Sequence, residues 1–531
     1  MRNYAVLVGA VLFGCQLASA ATTRYVVPPG TPGTPTAGYT SWETAATNIQ
    51  QAINAAATND LILVTNGTYY LASQLTITNA ITLRSFKDGA TDREGTVLDG
   101  GFPVTTNRCV FVTNAAAVVD SFTITNGYAA TNSMLGYGGG FYLYTKGTVT
   151  NCVVAGNQAE ARGGGGYLFS AGECRIVDSV VAGNSAWRDF TNLVNGVLVT
   201  NAAAVGGGLY SYKSIVSNCT IRGNFARAGG GVYMAAGGNT DGNGQMVDCL
   251  IAENTARIYA SGTDGGGGIY MYFKGTVANC NIISNKTVVS IGTGYAAGVA
   301  VGDGGVLRDS LIAYNTGAGY GGGSMAGGNR TITNCVFRNN SASNGGGVYQ
   351  SGGLITHCTV VSNNSAAFVQ GSAVLRNCLF ANNSGGIWAN SGGGGTYQNC
   401  TIVSNIGTGL QIGQNAVAIT GIVENCIVYY NSVTNYSTTA AAGVIFTNSC
   451  TFPKTIGAYD VGVVTNAPAL ISVPGGNYRL TRLSPCVNTG VFRTWMTGSK
   501  DLDVKSRIVG SAVDMGAYEL PPAPGTMIRV L

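Results

Sequence analysis

The stretch NCTIRGNFARAGGGVY, residues 218–233, has the outward look of a phosphate-binding loop, with a triple glycine and Arg222 and Arg227 close by. Such a loop needs Gly-Lys-Ser/Thr opening a helix, and no glycine run in this chain continues that way. Instead, the same grammar returns along most of the sequence. Counting Asn218 as zero, Asn or Asp stands at zero, Cys or Ser at +1, an apolar residue at +3 and Asn at +6. Twelve segments follow it, starting at Asp120, Asn151, Asp178, Asn218, Asp248, Asn279, Asp309, Asn334, His357, Asn377, Asn399 and Asn425, with His357 off pattern at zero. The starts lie 20 to 40 residues apart. Spacing of this kind marks a solenoid in which each copy contributes one turn and loops of variable length are spliced between.

The register-defining stretch is too short for a helix. Its +3 residues, Thr123, Val154, Val181, Ile221, Ile251, Ile282, Ile312, Phe337, Val360, Phe380, Ile402 and Val428, are mostly branched or aromatic, which predicts a strand. Positions +1 and +3 share a face of that strand, so the core should stack small residues on small and branched on branched. The twelve +6 residues are Asn126, Asn157, Asn184, Asn224, Asn254, Asn285, Asn315, Asn340, Asn363, Asn383, Asn405 and Asn431. Asn tolerates left-handed backbone at a turn and its amide both donates and accepts, so turns stacked about 4.8 Å apart can carry a structural Asn ladder. The triple glycines, each shortly before an aromatic such as Tyr142, Tyr210, Tyr233, Tyr270 or Tyr349, read as turn residues of the same repeat.

Composition bounds the class. Glycine is 80 of 531 residues, about twice the usual share, and charged residues are 10% against roughly a quarter in typical domains. A hydrophobic share of 45% is ample for a core. The formal net charge of +5 is dilute and no basic run occurs, which argues against a nucleic-acid partner. At the start, Arg2, the apolar run YAVLVGAVLFG and ASA ending at Ala20 have the order of a signal peptide cleaved after Ala20. The run is short for a membrane span, and no second run of spanning length follows. Secretion or surface display is therefore expected, with a lipid anchor at Cys15 of LFGC as the minor alternative.

Nine of the 14 cysteines occupy +1. Stacked one coil apart, their Cβ atoms fall near 4.8 Å, beyond the roughly 3.5–4.5 Å of a disulfide, so buried free thiols are expected there. Any disulfide would be sought among Cys109, Cys174, Cys450 and Cys486.

A long array of short strands with an Asn ladder resembles the right-handed parallel β-helix of the pectate-lyase-like superfamily, over roughly residues 60–450. TSWETAATNIQQAINAAATNDLILVTNGTYY, residues 40–70, resembles the opening of such proteins, in which a short helix covers the first coil, and TVLDGG at 96–101 resembles an early coil. GGNYRLTRLSPCVNTG at 475–490 and KDLDVKSRIVGSAVDMGAYEL at 500–520 resemble the choice-of-anchor Q region of surface β-helix proteins. The expected organisation is a signal peptide at 1–20, an N-terminal cap at 21–60, an all-β right-handed parallel β-helix at 61–450, and a C-terminal cap or anchor-type region at 451–531.

What the resemblance implies about chemistry is an acidic groove with a Lys or Arg base and calcium for a lyase, or converging carboxylates for a hydrolase. Candidates are sparse. Lys146, Glu173 and Lys213 each stand five residues before a repeat start and could stack on successive coils. Asp501 and Asp503 leave room for calcium but supply few of its six to eight ligands. His357, the one histidine, reads as a stacked turn residue, and NTDG at 239–242 as a loop. The reading that results is a non-catalytic, monomeric surface or matrix protein that presents tyrosines and amides to a polysaccharide or cell-surface glycan, with no required cofactor. The alternative is a polysaccharide lyase or glycoside hydrolase.

Overall fold

The computed structural model describes residues 21–522, apart from 131–135, 170–173, 188–191, 195–196, 200–203, 236–243, 259–264, 290–295, 391–392, 414–419, 439–442, 454–459 and 511. Three long sheets, in which every pairing is parallel, carry the fold. Sheet 1 has 16 strands, from Thr23–Val26 to Gly443–Thr447; sheet 2 has 15, from Gly67–Tyr70 to Cys450–Thr451; sheet 3 has 14, from Leu75–Ile77 to Tyr436–Thr438. A short sheet 4 of six strands, Tyr128–Ala129 to Lys286–Val289, lies between sheets 2 and 3 over part of the length. Each coil passes through sheets 1, 2 and 3 in turn, and each strand pairs with the equivalent strand one coil on. This is a right-handed parallel β-helix.

The repeat maps onto one corner and one strand of the coil. Position zero turns the chain from sheet 1 into sheet 2, and its residue is left-handed in every copy from Asn151 (φ 48°) to Asn425 (φ 52°), His357 included (φ 53°). Asn and Asp tolerate that backbone better than other non-glycine residues. A second left-handed residue falls at +5, for example Gly183, Glu253 and Asn382. The left-handed positions are thus zero and +5, and the +6 asparagines from Asn157 onward keep ordinary backbone.

Those asparagines instead turn their side chains into the wall. Asn383 is representative: its Oδ1 accepts from the backbone N–H and the Nδ2 of Asn363 (2.9 and 3.0 Å), and its Nδ2 donates to Asn405 Oδ1 (2.9 Å) and to the carbonyl of Val360 (3.0 Å). The same bonding links Asn157 through Asn184, Asn224, Asn254, Asn285, Asn315, Asn340, Asn363, Asn383 and Asn405 to Asn431. Asn431 then donates to Asn435 Oδ1 within its own turn. Asn126 stands outside this file. The first copy begins one residue later than its letters suggest: Asp120 pairs with Thr150, left-handed Ser121 (φ 67°) takes position zero and Ile124 pairs with Val154 at +3, so Gly127 rather than Asn126 donates to Asn157 Oδ1.

Glycine tracts and Asn ladder explain one another. Gly206 is left-handed (φ 70°), and a Cβ on Gly208 would lie 3.0 Å from Asn224 Nδ2 and 2.6 Å from the carbonyl of Gly231. The tract lets the chain pass directly beside the ladder amide. Its N–H groups donate to the next coil, as from Gly207 to Gly229 O (3.1 Å), so they are not free to cradle a phosphate.

The +1 column is more than filler. Cys152 N donates to Ser179 Oγ (3.1 Å), Cys219 N to Cys249 Sγ (3.5 Å) and Cys426 N to Ser449 Oγ (3.1 Å). The thiol or hydroxyl in turn donates to the carbonyl two residues back, as from Cys152 to Thr150 O. Ser449 reveals a thirteenth copy starting at Asn448, itself left-handed (φ 43°). All thirteen cysteines among the described residues are buried free thiols, including Cys109, Cys174, Cys450 and Cys486.

The single described α-helix, α1 (Ile49–Ala55), is capped by Asn48, whose side chain accepts from the N–H groups of Gln50 and Gln51. Ile49, Ala52 and Ile53 join the main core. Gln50 Oε1 accepts from Thr76 N (2.8 Å) and its Nε2 donates to Thr76 O (3.1 Å), so a side-chain amide occupies the edge of the first sheet 3 strand. At the other end, residues 467–520 pack against the outer face of sheet 2 instead of following the column axis. Tyr478, Leu480, Cys486, Met515, Ala517 and Tyr518 cluster with the outward-facing Leu379, Ala381, Val403 and Ile427. His357 helps to hold this region: its Nε2 and Asn377 Nδ2 both meet the carbonyl of Lys500 (2.7 and 3.0 Å).

Candidate functional site

The outer face of sheet 3 carries two parallel files of aromatic rings. Strand alternation sends the residue between two core positions outward, and in register these are Phe111, Tyr142, Tyr167, Tyr210, Tyr233 and Tyr270. Successive ring centroids are 5.3, 4.8, 4.7, 5.3 and 5.1 Å apart. The file breaks at Ala300 and Met325 and resumes as Tyr349, Phe368 and Trp388. Two residues further along the strands, Tyr144, Phe169 and Tyr212 form an outer file, which breaks at Ala235 and resumes with Tyr272, 48% exposed. Arg162 lies over Tyr137 and Tyr210, and Arg108 over Phe111 and Tyr142, within 5.1–5.6 Å of each ring centre. Burial raises the Tyr142, Tyr167 and Tyr233 phenols above their ordinary range, so they stay protonated and able to donate.

Beside this face runs the corner where each coil turns from sheet 3 to sheet 1. A cavity of about 250 Å³ there is walled by Tyr270, Tyr272, Phe273, Asp303 and Arg330. Arg330 also borders the next hollow, about 490 Å³, which extends over Ser351 and Ser372 to Arg376. The two form one groove along the solenoid axis, and Asp303 is the one carboxylate among its lining residues. Arg330 Nε is buried without a hydrogen-bond partner. Burial lowers the Arg330 guanidinium below its usual range, an effect that Asp303 opposes.

Lys146 and Lys213 lie on this same corner, nearer the N-terminus and two coils apart, as the pairing of Thr148 with Arg175 and of Arg175 with Ile215 shows. Lys146 is exposed; Lys213 is left-handed (φ 51°) with its ammonium 5.5 Å from the Tyr212 ring centre. Glu173, NTDG at 239–242 and residues 1–20, with Cys15 and Ala20, lie outside the described residues. Asp501 and Asp503 turn out to be anchors of the C-terminal region. Asp501 accepts from the backbone N–H groups of Asp503, Lys505 and Glu519, and Asp503 pairs with Arg479 and Lys505. Among the described residues no group of three or more His, Cys, Asp or Glu is placed to hold a metal. The groove was missed from sequence because its residues sit at no fixed offset in the repeat.

Residues 298–456 match the family described as the right handed beta helix region. No curated protein matches the chain. Among solved structures, the chain is similar to pectate lyase Pel9A at 16% identity, covering 94% of this chain and 97% of that one, with a TM-score of 0.26. It is also similar to the periplasmic alginate epimerase AlgG (13% identity, 76% and 77% covered, TM-score 0.23). A third is a mannuronic acid specific polysaccharide family 6 lyase from human gut microbiota (10% identity, 77% and 78% covered, TM-score 0.23). No helix among the described residues is long and apolar enough to cross a membrane.

Proposed function

We propose that this protein is an exported, non-catalytic surface or matrix solenoid that holds an acidic polysaccharide strand along the sheet 3 to sheet 1 corner. The observation that carries this reading is the open aromatic file ending in a groove that holds Arg330 and Arg376 against a single carboxylate, Asp303. Ring faces suit the C–H faces of sugars, and a guanidinium suits a carboxylate through paired N–H donors. Export rests on the leader-like residues 1–20, and attachment on the likeness of 475–520 to an anchor-type region.

Retention of the secreted chain on immobilised alginate, polygalacturonate and neutral glucan columns tests the proposal. Retention on an acidic column should fall about tenfold in Arg330→Ala and be weakened by Tyr272→Ala, with melting temperature unchanged. Equal retention of all three proteins would sink it. A second reading is favoured by the partnerless Arg330 Nε and its lowered pKa, which suit a base in β-elimination. Unsaturated products released by the parent chain and absent with Arg330→Ala would make that lyase reading the correct one.

A further inference from the structure

A second concave site lies beside Asn126, an asparagine outside the ladder. We propose that Asp99, Asn126, Phe102 and Tyr70 form a subsite for a neutral pyranose ring near the N-terminal end of the solenoid, at the corner that leaves sheet 2. With left-handed Ser121 at position zero of this coil, Asn126 falls at the left-handed +5 position (φ 52°), one residue short of the ladder. The amide turns outward one coil back, where Nδ2 donates to Asp99 Oδ2 (3.0 Å). Asp99 Oδ1 accepts from Gly101 N (2.8 Å). The acid and the amide are thereby fixed side by side, and both keep acceptor lone pairs for a ligand.

The surrounding wall is held just as firmly. Phe102 N donates to Asn126 O (2.9 Å), Thr105 N to Gly101 O (3.0 Å) and Asn107 Nδ2 to Leu71 O (3.1 Å), which ties the loop across three coils. The Phe102 ring stacks on Tyr128 at 4.4 Å and 3°. Tyr70 and Val104, 78% and 92% exposed, stand at the rim of a concavity of about 510 Å³ whose walls are mainly apolar. Two exposed apolar side chains beside a fixed Asp–Asn pair are costly to leave in water, and a ligand with one apolar face and one hydroxylated edge covers both. A pyranose ring is such a ligand: its C–H face meets Tyr70 and Phe102, and neighbouring hydroxyls donate to Asp99 and Asn126 Oδ1. Asp99 is the one charged residue in the lining, so a uronate is disfavoured here, in contrast to the corner around Arg330. The subsite shares no lining residue with that corner.

Saturation-transfer NMR on the full chain, with methyl glucoside, galactoside, mannoside and xyloside, glucuronate and choline as separate probes, tests it. Transfer is expected to at least one neutral glycoside and not to glucuronate. Asp99→Asn, which keeps an acceptor for Gly101 N, should weaken it about tenfold through loss of charge-assisted bonds. Tyr70→Ala, at a position too exposed to affect folding, should weaken it as well. Transfer to choline alone, transfer to no neutral glycoside, or transfer indifferent to both Asp99→Asn and Tyr70→Ala would overturn the assignment.

Discussion

At the residue scale the fold depends on amides and thiols that serve the neighbouring coil. Each ladder asparagine accepts from the coil before it and donates to the coil after it, so its two ends are not interchangeable. Asn383→Asp would remove the donors to Asn405 Oδ1 and Val360 O and place a carboxylate in a fully buried site. A loss on the order of 3 kcal/mol follows from stranding buried acceptors and burying charge. The melting temperature should drop at neutral pH and partly recover in acid, where the carboxyl is protonated. An unchanged melting curve would remove the ladder from any account of stability. The ladder positions were legible because only Asn recurs at +6. The place of Asn126 was not, because Asp120 and Ser121 match the letters of positions zero and +1 while the left-handed turn falls on Ser121. The exchange of Cys for Ser at +1 was visible, but the N–H of the preceding coil that needs an acceptor there was not. The zero column also alternates, Asn151, Asp178, Asn218, Asp248, Asn279, Asp309, Asn334, so no two carboxylates stack directly, and Asn218 and Asn334 donate to the Asp one coil back (both 2.7 Å). Like charges about one coil apart would repel.

At the element scale the exposed end of a parallel sheet is the hazard, since its unpaired N–H and C=O groups invite another strand. Gln50, projecting from α1, satisfies both groups of Thr76. Gln50→Leu should leave helix and core intact while opening that edge. The expected result is a stability loss of about 1–3 kcal/mol together with concentration-dependent self-association in sedimentation. Association that does not change would show that the edge is guarded by something else. The helix itself was readable from the helical spacing of Ile49, Ala52 and Ile53. The strands of sheet 3 were less so, because they follow glycine tracts whose role depends on the ladder beside them.

At the scale of the whole molecule, residues 467–520 clamp the last coils from the side, and the clamp contains a buried charged knot. Arg507 meets Glu519 at 3.2 Å and donates to the carbonyls of Asp514 and Gly516. Burial pushes the Glu519 carboxyl up from 4.5 to about 8. A carboxyl raised on folding contributes stability that is full below its unfolded pKa and is lost as pH climbs through the folded one. Docking of the clamp should therefore weaken between about pH 4.5 and about pH 8, read as faster proteolytic release of the C-terminal region. Glu519→Gln should flatten that dependence. The motif VDMGAYE marked this region in the sequence, but not its place: Met515, Ala517 and Tyr518 cover sheet 2, and Gly516 N donates to Asn425 O.

The +1 column bears on how such a chain can be made at all. Burial holds the Cys152 thiol up at about 12, which leaves it inert toward oxidants once the next coil has closed over it. Before closure it is an ordinary reactive thiol. A chain that collapsed all at once would expose every such sulfur together and risk mispaired cross-links. Growth from the helix-covered end, each new coil templated on the last, would expose only the sulfur at the advancing front, and that order of folding would itself act as an antioxidant.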